Sequence, residues 1–326
     1  MIVTRTPLRI SIAGGGTDLP SYYSRLGSFF ISAAINKYVY ITFYRTFIEG
    51  IRLKYSRMEE VGGVDEISHA IVRETFRLHG VTNNAEMASH ADVPGGTGLG
   101  SSGSFGVGLS HALYVSEKKA LTSYELAEEA TKVQMDILGY PIGLQDQYAA
   151  AFGGFNGYAI AKDGTVTVEP IKISKENLQL LKERLVMLFT GISRSASDIL
   201  VEQKRKSDVD DEAMVEALHE IQKLGHETKE VLEGGNLKKY GEIMRTHWEA
   251  KKKRSAKMTT PRVNYWYEVG LKNGAIGGKL VGAGGGGFLL FYTEDREKLI
   301  AVMEKEGLRN MDFAFDFEGS RVLVNE

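Results

Sequence analysis

Between Asp92 and Ser116 the chain reads DVPGGTGLGSSGSFGVGLSHALYVS, with seven glycines and no formal charge after its first residue. Glycine lets backbone N–H groups approach an anion, and a helix that follows aims the positive end of its dipole at the same point. These residue types suit a phosphate cradle made of Gly95, Gly96, Thr97, Gly98, Leu99, Gly100, Ser101 and Ser102 behind Pro94. The run Gly98 to Gly103 also satisfies G-x-G-x-x-G, a dinucleotide pattern, yet Pro94 and Gly95-Gly96-Thr97 separate it from any preceding strand. The acid expected about 20 residues later has only Glu125 to fill the role. Gly95 and Gly100 have the spacing of a Walker loop, but Ser101 stands where its lysine belongs. A membrane span is excluded, because glycine and serine in the first half of the run carry too little apolar surface. A glycine turn that binds nothing is the plain alternative.

Two more glycine clusters accompany this one. PLRISIAGGGTDLP (Pro7 to Pro20) ends a strand in three glycines and an aspartate, and GGKLVGAGGGGFLLF (Gly277 to Phe291) places four glycines between two strands. Three such turns, spread over both halves of the chain, point to backbone converging on a polyanionic ligand between domains.

The elements that must bring these turns together are legible in outline. IVTRTPLRISIA, FFISAAI and KYVYITFYRTF are rich in β-branched and aromatic residues and read as strands. DEISHAIVRETFRLHG reads as a helix ending at Gly80, and Phe105, Leu109, Ala112 and Leu113 recur at helical spacing beyond Ser102. Another helix opens with the capping box Thr122-x-x-Glu125, is expected to bury Leu126, Ala130, Val133 and Ile137, and stops at Gly139. RLVMLFTG (Arg184 to Gly191) begins a second unit, with an amphipathic helix through Val215, Leu218, Ile221 and Leu224 and closing strands GGFLLFYTE and SRVLVNE. Glycine falls and lysine and glutamate rise near residues 165 to 180. The expected domains are therefore 1–170 and 171–326, with strands and helices interleaved in the α+β class.

Composition narrows the function. A chain of 326 residues exceeds one typical core, and a net charge of −2 leaves no electrostatic footprint for nucleic acid. The single basic run, Lys251 to Arg254, reads as a solvated or ligand-facing helix segment. The absence of cysteine excludes a disulfide framework, thiol catalysis and a Cys-ligated zinc site. The N-terminal residues hold no apolar stretch long enough for a signal peptide. A cytoplasmic protein is expected, with neither nucleic acid nor membrane as partner.

The three glycine segments, taken together, resemble the three motifs of the GHMP superfamily, the small-molecule kinases of galactose, homoserine, mevalonate and phosphomevalonate. PGGTGLGSSG is similar to that family's phosphate loop and KLVGAGGGG to its C-terminal motif. The resemblance implies a ribosomal-protein-like N-terminal domain, a ferredoxin-like C-terminal domain, and ATP with Mg²⁺ in the cleft between them. It places Asp146 as the catalytic base, with helix capping as the bland alternative, and Arg9 beside it to stabilise charge on the transferring phosphoryl group. It assigns Ser102 to magnesium. Gln134 falls where the family often has a glutamate, so it becomes a neutral second ligand, with Asp136 in reserve. Gly15, Gly16, Thr17 and Asp18 are implied to hold the sugar, with Gly284 and Gly285 from the third motif. Where galactokinases carry Glu-His, this chain has Gly15-Gly16. AGGGTDLP, GLQDQYAAAFGGFNG, FTGISRSASDIL and HWEAKKK are similar instead to the branch acting on D-glycero-D-manno-heptose 7-phosphate at the anomeric oxygen. A sugar phosphate of that kind needs cations, for which Arg194 and Lys251 or Lys252 are the candidates. Galactose- or fucose-type kinases remain the nearest alternative, and a dinucleotide oxidoreductase the more distant one.

Overall fold

The computed structural model describes residues 1–193 and 212–326. Arg194 lies outside the described residues.

Alternating apolar side chains draw the N-terminal half into a mixed sheet of eight strands. β1 (Ile2–Ala13) runs antiparallel to β2 (Ser28–Arg45), which is one strand where the sequence reads two. The seam survives as a register shift: Pro7 faces Tyr38 but Leu8 faces Ile35, so Asn36 and Lys37 bulge out. The two halves of β2 then take different neighbours. Val39–Arg45 pair with β5 (Ala85–Ala91), which lies parallel to β3 (Ile51–Lys54), itself paired with β4 (Met58–Val61). Ser28–Ala33 pair with β6 (Phe155–Ile160), which carries β7 (Val166–Pro170). Apart from β3 with β5, the described pairings are antiparallel. The sheet is not the parallel βαβ platform that a dinucleotide fingerprint requires, and the oxidoreductase alternative falls with it.

α3 (Ser101–Ser116) and α5 (Gln145–Phe152) cover this sheet, and α4 (Ser123–Thr131) packs on both of them. Glycines inside α3 serve packing. A Cβ at Gly103 would stand 2.6 Å from that of Asp146, one at Gly106 2.6 Å from Gln134 Nε2, and one at Gly108 2.7 Å from Thr6 Oγ1. The capping box of α4 forms as expected: Thr122 Oγ1 accepts from Glu125 N at 3.3 Å, and Glu125 Oε2 accepts from Thr122 N at 2.7 Å. Beyond Thr131 the helix widens into a π-helical turn over Lys132–Ile137. The extra residue per turn rotates the following side chains, so Ile137 is 44% exposed rather than buried, and Gln134 comes inward at 1%.

The C-terminal half forms a four-stranded antiparallel sheet in the order β11-β8-β10-β9, with β8 (Leu185–Phe189), β9 (Ala275–Leu280), β10 (Phe288–Thr293) and β11 (Arg309–Asn310). α7 (Glu212–Glu233), α8 (Leu237–Lys253) and α9 (Pro261–Lys272) pack around it, between α6 (Lys175–Arg184) and α10 (Arg296–Lys305) in the chain. Leu218, Ile221 and Leu224 of α7 are buried as their spacing requires. The last strand, β12 (Arg321–Asn325), departs from the expected order: it returns to pair with β1 instead of closing the second unit. An open β1 edge would present unpaired backbone groups, and β12 satisfies them. One buried cluster joins the two halves, including Ile12 and Ile31 with Met187, Leu232, Tyr240 and Leu290. Among the described residues, no helix is long and apolar enough to cross a membrane.

Candidate active site

All three glycine turns meet at a cleft between the two sheets. Gly15 and Gly16 line it from the first turn, Gly96, Gly98 and Gly100 from the second, and Gly282 and Ala283 from the third. Gly100 caps α3 in the left-handed region, with φ at 77°, which glycine adopts without strain. The first turn of α3 therefore presents Ser101, Ser102 and the positive helix end to the cleft.

Asp146 sits in the first turn of α5, one residue inside it, so helix capping is not its role. Arg9 reaches it from β1, donating Nε at 2.8 Å and Nη2 at 2.5 Å to the same oxygen, Oδ1. Oδ2 is thus the oxygen able to meet a substrate hydroxyl. Arg9 also donates Nη1 to Gly98 O at 2.6 Å, tying the phosphate loop to the carboxylate. Adjacent residues of α5 serve two different turns. Asp146 backs Gly100 and Gly103, while Gln145 donates N to Asp18 Oδ2 at 3.0 Å and Nε2 to Ser11 Oγ at 3.1 Å.

Cations dominate the lining: Arg9, Lys251, Arg254 and Lys279 against Asp18 and Asp146. Lys251 donates Nζ to Leu280 O at 2.8 Å and Gly282 O at 2.5 Å, and Lys279 donates to Ile12 O at 2.7 Å. Burial, and then the positive charge of Arg9, pull Lys279 down to about 7. Lys251 is pushed well below the usual ammonium range by burial, then by Lys279, Arg254 and Arg9. Burial lowers Arg254 to about 10, against the pull of Asp18. His247 accepts a hydrogen bond from Gly14 N at 3.2 Å, and burial, followed by the three cations of α8 and β9, keeps its ring well below the usual imidazole range. A polyanion in the cleft reverses each of these repulsions.

Asp18 faces the same cleft. Its Oδ1 accepts from Gly16 N at 2.9 Å; burial raises its carboxyl, opposed by the amides of Gln145 and Gly16. Each oxygen keeps acceptor capacity for a sugar hydroxyl.

The two expected magnesium ligands lie together, with Ser102 Oγ donating to Gln134 Oε1 at 3.2 Å. Gly100, not Ser102, occupies the cap position of α3, and no side chain caps that end. Among the described residues no group of three His, Cys, Asp or Glu could hold a metal, and Asp136 is exposed. Two neutral oxygens fit an ion held mainly by phosphates and water.

Several expected residues build the site without lining it. Thr17 is buried, donating Oγ1 to Gly14 O at 2.8 Å, so it shapes the turn and does not line the cleft. Thr97 donates Oγ1 to Pro94 O at 3.0 Å, Leu99 packs in the core, and Pro94 and Gly95 are exposed beyond the rim. Gly284 and Gly285 pack on Met258, with Gly285 N donating to Met258 O at 2.9 Å, and it is Gly282 and Ala283 that reach the cleft. Lys252 turns away to Glu249 at 2.8 Å. Sequence reading missed Lys279, His247, Ser11 and Gln145, and held Arg254 only within a basic run read as solvated or ligand-facing. A signal existed for two of them: His247, Lys251 and Arg254 stand at i, i+4 and i+7, one face of a helix.

Residues 66–154 match the family described as GHMP kinases N terminal domain, and residues 214–308 match GHMP kinases C terminal. The chain is 32% identical to the D-glycero-alpha-D-manno-heptose 7-phosphate kinase of Campylobacter jejuni, across 98% of this chain and 97% of that protein. It is 24% identical to the galactokinase of Pyrococcus furiosus, across 92% and 91%. The crystal structure of a D-glycero-D-manno-heptose 1-phosphate kinase from Bacteroides thetaiotaomicron superposes with a TM-score of 0.82 at 25% identity, covering 99% of both chains.

Proposed function

The chain belongs to the GHMP kinases, phosphotransferases that use ATP and act on hydroxyl groups, and from that premise we propose that it phosphorylates the anomeric hydroxyl of D-glycero-D-manno-heptose 7-phosphate to give the 1,7-bisphosphate. One observation carries the reading: the Arg9–Asp146 pair stands between the phosphate loop and the turn holding Asp18, inside a cleft where, among the described residues, cations outnumber acids. Both heptose kinases named above act, by their names, on a heptose that already bears a phosphate, although the names differ on its position. The cation row suits such a substrate better than a neutral sugar.

ATP supplies the phosphoryl group. Asp146 orients the anomeric hydroxyl through Oδ2 and takes its proton as the new bond forms. Arg9, fixed to Oδ1 and to Gly98, holds that carboxylate in register with the loop and faces the developing negative charge. Backbone N–H groups at the start of α3 cradle the nucleotide phosphates. Ser102 and Gln134 would hold magnesium, and Asp18 binds sugar hydroxyls. We take residues 1–170 together with the returning strand β12 as one domain, and the chain from 171 to β11 as the other, the two closing the cleft.

Steady-state assays at saturating ATP and magnesium, across heptose 7-phosphate, mannose 6-phosphate, mannose, galactose and fucose, test the reading. The heptose phosphate is expected to give the highest kcat/KM and a 1,7-bisphosphate product. Faster turnover of free galactose or fucose would replace this substrate with the runner-up and leave the kinase assignment intact.

A further inference from the structure

The cleft has two differently built ends. At the Asp146 end, Arg9 holds the carboxylate and the phosphate loop. At the Asp18 end stands Arg254, which follows the last turn of α8, is only 3% exposed, and donates Nη1 to Gly15 O at 3.1 Å. Its position depends on a missing side chain. A Cβ built on Gly16 would fall 2.1 Å from Arg254 Nη1 and 2.3 Å from Nη2, so any other residue at 16 would evict the guanidinium. Gly16 also has φ at 100°, so the turn and the vacated space demand glycine together.

A buried guanidinium offers a rigid fork of donors that matches a phosphate bidentately, which a lysine ammonium does not. Here that fork lies beside Asp18, so a ligand reaching it is met by a hydroxyl acceptor and an anion receptor at once. Gln145 donates its N–H to Asp18 at this end and its neighbour Asp146 lies against the phosphate loop, so α5 joins the two ends within one turn. We propose that Arg254, seated in the space that Gly16 leaves open, binds the phosphate the sugar already carries and sets the preference for phosphorylated over unphosphorylated sugars. The proposal rests on the sugar-phosphate kinase reading above.

The test is the ratio of kcat/KM for a phosphorylated sugar to that for its unphosphorylated counterpart, using heptose 7-phosphate with heptose and mannose 6-phosphate with mannose. Arg254→Gln is expected to lower that ratio by about 10- to 100-fold, the loss of one or two charge-assisted bonds. Arg254→Lys should restore part of it by charge alone. Gly16→Ala, with the arginine intact but displaced, should lower the ratio in the same sense. Equal losses on both sugars of a pair would make Arg254 a support for the glycine turn and overturn the proposal, as would a wild-type ratio retained in Arg254→Gln. A wild-type enzyme indifferent to the sugar's phosphate would overturn the substrate reading and this inference with it.

Discussion

Two clusters of buried charge in this protein are built on opposite plans. In the cleft, Arg9, Lys251, Arg254 and Lys279 crowd together, and among the described lining residues the acids are Asp18 and Asp146. Across the N-terminal domain, His79 caps α2 (Ala70–Leu78) and faces a carboxylate with each ring nitrogen: Nδ1 to Glu117 at 2.6 Å, at the end of α3, and Nε2 to Glu129 at 2.9 Å, in α4. Tyr114 donates its hydroxyl to Glu129, and Lys119 pairs with Glu117 at 2.8 Å. Glu125, Glu128 and Lys132 complete the surroundings of the ring. Burial alone would lower His79, but the bonds from Glu129 and Glu117 raise it above the ordinary imidazole range. Charges satisfied within the chain fasten three helices together. Like charges gathered in a cleft weaken the fold, and an anion between them would offset that repulsion.

The comparison breaks most visibly at Asp146. Asp146→Asn should bind ATP nearly as well as the native enzyme and lose about 10²- to 10⁴-fold in kcat, the usual contribution of a general base. Equilibrium nucleotide binding with single-turnover kinetics reads this, and native turnover in the variant would remove Asp146 from the base role.

Next in size is Lys279→Met. KM for the phosphate-bearing substrates should rise about 10- to 100-fold, while the ligand-free protein melts at the same temperature or higher, because a repelled and desolvated cation has gone. A lower melting temperature would mean that the bond to Ile12 O outweighs the repulsion.

His79→Gln should do the reverse: stability falls by about 3 kcal/mol, the low end for a broken buried pair because Glu117 stays 26% exposed, with KM unchanged. The sign with pH follows from the raised value in the folded state. The imidazolium contribution is complete below the unfolded pKa of about 6.5 and is lost as pH rises through the folded one. Denaturant melts of the two proteins should therefore converge as pH increases. A gap that widens would show His79 acting as a neutral ring.

Smallest in stability is Ser102→Ala, about 1 kcal/mol below native, because the hydroxyl caps nothing and gives up only its bond to Gln134 Oε1. Its magnesium titration should shift to higher concentration. An unchanged titration would remove Ser102 from the metal site.

Local pattern made much of this readable. Gly-rich turns announce themselves by composition, the Thr122–Glu125 box by spacing, and α7 by its period; all depend on residues near in sequence. Ser102 with Gln134, and Arg9 with Asp146, were paired only through resemblance, since each pair is far apart along the chain. Ile137 was misplaced because no local signal marks the π-helical turn, which the packing of Gln134 against Gly106 accompanies. Composition could not assign β12 either, because what it answers is an open edge made at the other end of the chain.

By itself, then, the sequence determined where the backbone makes its glycine turns and which helices begin where. Only the tertiary structure decided which cations face the cleft that those turns form. Lys251, Lys252, Lys253 and Arg254 are consecutive and chemically alike, yet helical rotation sends Lys251 and Arg254 into the cleft, Lys252 to Glu249 and Lys253 to Glu220. It also decided what Gly16 is for. A glycine's φ is a local property, but the guanidinium that fills its missing side chain arrives from the other half of the chain, at a position that only folding brings near.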